Sequence, residues 1–167
     1  TGTLDLGNAT SDTFTFNGGV TENTGGTVTI AGAIVSSNDA ISFGNINVGT
    51  NLLSVTSAGG AISIGTISAA SGSLDVTITS SGGSTNTVAV GVIGGSTNIN
   101  TVAITGSTSV TLNGNITTDN SSGNSLTVTG STINTGAITI DTNNTSNDGA
   151  ITFDGAIAGG NNNLSLD

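Results

Sequence analysis

The chain has 167 residues, a net charge of −10, 27 glycines and no Lys, Arg, His, Cys, Pro, Met, Trp or Tyr. Without a basic side chain it has no imidazole base, no amine for a Schiff base and no guanidinium clamp, and nothing cationic to meet nucleic acid or an anionic bilayer. Without Cys it has no disulfide framework, and no apolar run approaches the roughly 20 residues of a membrane span.

In chain order, short apolar pairs spaced by two begin at Leu4, Phe14, Val28, Ile41, Leu53, Ile62, Leu74, Val88, Val102, Val110, Leu126, Ile138, Ile151 and Leu164. Period two is the mark of a strand with one buried face. Glycine pairs at 18–19, 25–26, 59–60, 82–83, 94–95 and 159–160 punctuate these strands, as do Asn-Gly at Asn17 and Asn113 and Asp-Gly at Asp148 and Asp154. Apolar positions never sustain helical spacing, and Thr, Ser, Asn and Gly are poor helix formers. A mean hydropathy of +0.23 argues for a folded chain rather than a disordered one.

Two strand types alternate from Ile41 to Leu126. One follows Gly-Ala-Ile-x-Ile, as at 60–67 and 149–157; the other follows Leu-x-Val-Thr, as at 53–56, 74–77 and 126–129. A full unit is therefore roughly 21 to 28 residues, the low end of solenoid periods. A lone unit cannot bury its apolar face, but stacked units pile Val, Ile, Leu and Phe into one column. Ser54, Ser63, Thr111, Thr127 and Thr152 then point outward. The expected architecture is all-β: a parallel β-helix of roughly six to eight coils spanning 1–167 as a single segment, without significant helix.

The stretches LSVTSAGGAISIGTI (53–67), VAVGVIGGSTNINTVAITGSTSVTLNGNITTD (88–119) and LTVTGSTINTGAITID (126–141) resemble the β-strand repeats of bacterial surface proteins of the filamentous-haemagglutinin and autotransporter-passenger kind. The resemblance covers most of the chain from about residue 26. It implies a right-handed coil, export to the cell surface, and a role in adhesion, coating or filament formation. It carries no catalytic residues.

Few constellations suggest chemistry. Asp141, Asp148 and Asp154, with Asn143, Asn144 and Asn147 nearby, offer oxygen ligands for Ca²⁺, but no calcium β-roll nonapeptide or EF-hand loop is present; solvated loop carboxylates are the simpler reading. Polysaccharide cleavage lacks a Lys or Arg and aromatic platforms, so a non-catalytic protein is expected. Thr-x-Thr begins at Thr1, Thr13, Thr27, Thr77, Thr85 and Thr127, and such pairs in register would suit ice. The irregular starts predict that they do not share a face. Asn-x-Ser/Thr sequons begin at Asn8, Asn115, Asn120, Asn143, Asn144 and Asn163, as frequent Asn, Ser and Thr would produce by chance.

Neither end carries a polar cap, and 161–167 still reads as strand. The chain is thus expected to be part of a longer repeat protein or a polymerising subunit. The expected role is structural, in an extracellular surface fibre, sheath or adhesin stalk. Its partners are copies of itself, end to end or laterally, and surface glycans, with no nucleic acid, membrane span or cofactor. The alternatives are a β-sandwich pilus subunit assembled by strand exchange, and a carbohydrate- or ice-binding β-helix module.

Overall fold

A computed structural model describes residues 3–22, 25–69, 74–95, 99–119, 123–144 and 147–167. Among the described residues there is no helix, and every ladder of the main sheet is parallel. The chain forms a β-solenoid of about six stacked coils. The β-sandwich alternative is thereby overturned, since a sandwich is built from antiparallel neighbours. The one antiparallel pair among the described residues is a two-residue offshoot, Asn143–Asn144 against Asn147–Asp148. Asn-Gly and Asp-Gly sit at coil corners and offshoots rather than in sandwich hairpins.

Each coil crosses three faces. In one representative coil, residues 46–48 lie on face A, 53–57 on face B and 62–64 on face C. The inward rows stack like on like. On face A, Ile46, Ile67, Ile93, Ile116 and Ile140 follow one another through the ladder. On face B, Ile34, Val55, Ile78, Ile104 and Val128 do the same, and all five are fully buried. On face C, Phe43, Ile64, Val90 and Leu112 form a column. Each such side chain contributes about 1.5–3 kcal/mol of burial, so the shared column rather than any single coil supplies the stability.

The two sequence types acquire a structural meaning here. Leu-x-Val-Thr is face B. At 60–67 Gly-Ala-Ile-x-Ile is face C, continuing round a corner onto face A, whereas at 149–157 the same type lies on face B and turns onto face C. At the corner between faces C and A, Gly44, Gly65 and Gly91 stand one above another; a Cβ on Gly65 would collide with the carbonyl oxygen of Gly44, and one on Gly91 with that of Gly65. Residues 4–21, where the repeat is least legible, nevertheless form a coil in register: Leu4 pairs with Val28, Phe14 with Ile34 and Val20 with Ile41.

The corner between faces B and C contains serines turned inward. Continuing period two past Ile34, Val55 and Ile78 places Ser36, Ser57 and Ser80 inside, each at most 1% exposed. They bond to the turns of their own and the preceding coil. Ser36 Oγ accepts from Asp39 N at 3.1 Å, Ser57 Oγ donates to Asp39 O at 3.1 Å and accepts from Gly60 N at 2.8 Å, and Ser80 Oγ donates to Gly60 O at 2.8 Å. A hydroxyl ladder thus satisfies backbone groups that a tight buried turn would otherwise leave unpaired.

Candidate functional site: the hydroxyl face

Outward side chains of face B form two parallel rows. One reads Thr13, Ala33, Ser54, Thr77, Ala103, Thr127, Thr152; the other reads Thr15, Val35, Thr56, Thr79, Thr105, Thr129, Asp154. The expectation that Thr-x-Thr pairs would not share a face is therefore wrong for three of them. Thr13, Thr77 and Thr127 occupy a single row. Thr27 lies on face A, Thr85 lies in a corner loop, and Thr1 is outside the described residues.

Irregular starts are compatible with regular stacking because the corners absorb the difference. Val55, Ile78, Ile104 and Val128 are successive neighbours although 23, 26 and 24 residues separate them. The register shifts fall between Ile30 and Gly32, Leu74 and Asp75, and Asn124 and Leu126, all at the entry to face B. Past that entry the strands run in step. Neighbouring residues within a row are about 4.8 Å apart, and the two rows about 6.6 Å apart, as strand geometry dictates.

The face is chemically plain. Its two rows carry no amide side chain and no aromatic ring, and among the ten acids only Asp154, in the last strand, belongs to them. Most other carboxylates lie on face A or at corners. Asp75 stands at the entry to face B, where Asn100 Nδ2 and Thr101 Oγ1 donate to its Oδ1 at 2.9 and 2.6 Å. Asp12 Oδ2 accepts from Asn8 N and Ala9 N at 2.9 and 3.2 Å, closing a turn.

The Ca²⁺ candidates are divided by the fold. Asp141 ends a face A strand and accepts from Asn143 N at 2.9 Å. Asp148 lies across the offshoot from Asn143. Asp154 closes the face B strand Ala150–Asp154, at the opposite corner of its coil. That strand alone extends about 13 Å, so Asp154 cannot ligate one ion together with the other two. The side chains of Asn144 and Asn147 are outside the described residues. Among the described residues no three acidic side chains gather into a metal-sized group.

Besides the corner serines, two buried amides carry no plain signal of burial in the sequence. Asn86 is buried and donates through Nδ2 to Ser107 Oγ at 3.0 Å. Asn134 follows Leu112 in the face C column, 3% exposed, with neither Oδ1 nor Nδ2 hydrogen-bonded. Period two signals the inward direction of Asn134, two residues after Thr132, but its polar identity obscures the signal. At the first coil an apolar hollow of about 410 Å³ is lined by Leu4, Leu6, Phe16, Val20, Val28 and Phe43, among others.

Compared with known proteins, the chain matches no family model, no curated protein and no solved structure.

Proposed function

We propose that this chain is a length of an extracellular bacterial surface fibre, sheath or adhesin stalk, with a mechanical rather than a catalytic role. The observation that carries this reading is the unbroken stack of aliphatic rows and parallel ladders from the first coil to the last. Over the described strands it makes a stack about 30 Å long, by the usual strand spacing. Strands at both extremes pair on one side only, and Leu4, Ile157 and Leu166 there are 49%, 45% and 54% exposed. Such edges template a further coil, from elsewhere in the same chain or from a second copy. A head-to-tail contact of this kind does not close, so it generates filaments.

Composition supports an exposed setting. Trypsin-like proteases find no site, oxidants find no Cys or Met, and no side-chain ion pair exists for salt to disrupt. Surface glycans are a partner consistent with a hydroxyl-rich exterior. The test is sedimentation velocity across a concentration series, combined with negative-stain imaging. Rods lengthening with concentration support the proposal; round particles of constant size at all concentrations refute it.

A further inference from the structure

We infer that the outward face B, centred on residues 77–79 and 103–105, is a template for ordered water and binds the surface of ice. This goes beyond the fibre reading and does not depend on it.

The first observation is the register described above. Coils of different length are brought into step on this face, so that hydroxyls and methyls repeat along one axis without a bulge. A ligand complementary to such an array must itself be periodic.

The second observation concerns hydrogen bonds. Elsewhere the outward hydroxyls are often engaged within the chain: Ser68 Oγ donates to Ile46 O, and Thr135 Oγ1 donates to Asn113 Oδ1. On face B, from Thr13 to Thr129, none of the hydroxyls in the two rows bonds to another group among the described residues. Neither can they bond each other. Hydroxyl pairs need 2.5–3.0 Å, and neighbours about 4.8 Å apart within a row leave a gap that one bridging water fills. Repeated from coil to coil, those bridges make a sheet of positioned water. Thr suits this because branching at Cβ restricts χ1, so hydroxyl and methyl directions are set in advance. Most of these side chains are half-buried against their row neighbours, which restrains them further.

The third observation is what the face omits. A crystalline polysaccharide is also periodic, but its recognition draws on aromatic platforms and on amide or charged side chains that grip sugar hydroxyls. The chain has no Trp or Tyr, and the rows hold no amide and no charge before Asp154. Of the ten carboxylates, only Asp154 belongs to the two rows, and Asp75 flanks them at the entry to the face with Asn100 and Thr101 donating to it, which leaves the rows themselves suited to a neutral surface.

The experiment is an ice-recrystallisation assay on the full chain, with Thr79→Tyr and Thr105→Lys on the array and Ser63→Tyr on the exposed row of face C as control. Circular dichroism establishes that each variant folds. The wild-type chain is expected to suppress recrystallisation, with at least tenfold more of either array variant needed for the same effect and no change for Ser63→Tyr. Should one array variant fail to fold, the other carries the comparison. No suppression by the wild type, or equal loss in array and control variants, overturns the inference. Retention of the wild type on crystalline cellulose or chitin without any effect on ice overturns it in favour of a glycan surface.

Discussion

Replacing Gly91 by Ala separates local propensity from tertiary packing, because the two predict opposite signs. The backbone at Gly91 is not in the left-handed region. By chain entropy alone, Gly→Ala at such a position stabilises by about 0.4–1 kcal/mol. In the solenoid, however, a Cβ there falls on Gly65 O, well inside the 3.0 Å limit that Cβ atoms essentially never breach. The obstruction is backbone, flanked on both sides by the paired residues Ile64 and Thr66, so no flexible side chain can yield. Forcing the coils apart carries the usual overpacking cost of about 1–3 kcal/mol. It also weakens the flanking ladder hydrogen bonds, worth about 1 kcal/mol each. A net loss of about 2–4 kcal/mol is expected. At about 2–4 °C per kcal/mol for a chain of this size, the melting temperature falls by about 4–16 °C. Gly136→Ala is the control: its backbone is equally ordinary and nothing lies within 4 Å of the added atom. That variant is expected to be neutral or slightly stabilised. Thermal and urea unfolding followed by far-ultraviolet circular dichroism suits a chain without Trp or Tyr. A Gly91→Ala protein as stable as wild type, or a Gly136→Ala protein equally damaged, refutes the corner-packing argument.

Other substitutions probe the interior and the charge. Ser80→Ala removes the hydroxyl that donates to Gly60 O and is expected to cost about 1–2 kcal/mol in urea unfolding; no measurable loss would show the serine ladder to be energetically idle. Asn134→Leu replaces an unpartnered buried amide beneath Leu112 and is expected to stabilise by about 1–3 kcal/mol. A lowered melting temperature would mean that the amide is satisfied by internal water. Added NaCl is expected to raise the melting temperature steadily. All ten ionisable side chains are acidic, and Asp141 and Asp167 terminate neighbouring strands of face A; a fall in stability with salt would contradict this.

The inward rows were legible in the sequence. At Ile62 and Ile64, or Leu74, Val76 and Ile78, alternation alone names the buried side chains, because successive strand residues face opposite ways whatever the neighbours do. The coil length was legible as well, because Leu-x-Val-Thr recurs once per coil. The three-faced cross-section was not. Whether the Gly-Ala-Ile-x-Ile segment continues straight or turns at Gly65 depends on the glycine stacked beside it in the next coil. Ser36, Ser57 and Ser80 were hidden for a related reason: a polar residue is tolerated inside where a neighbouring turn supplies its partners.

The alternation of side chains, the absence of reactive and basic groups, and the parallel-repeat class are properties of the chain read residue by residue. The threonine array is of another kind. Its existence depends on which residue of one coil lies beside which of the next, and loops of unequal length conceal that from any count along the chain. Ladder closure and the shared aliphatic column select the register, because a one-residue slip would turn every buried Ile, Val and Leu out to water.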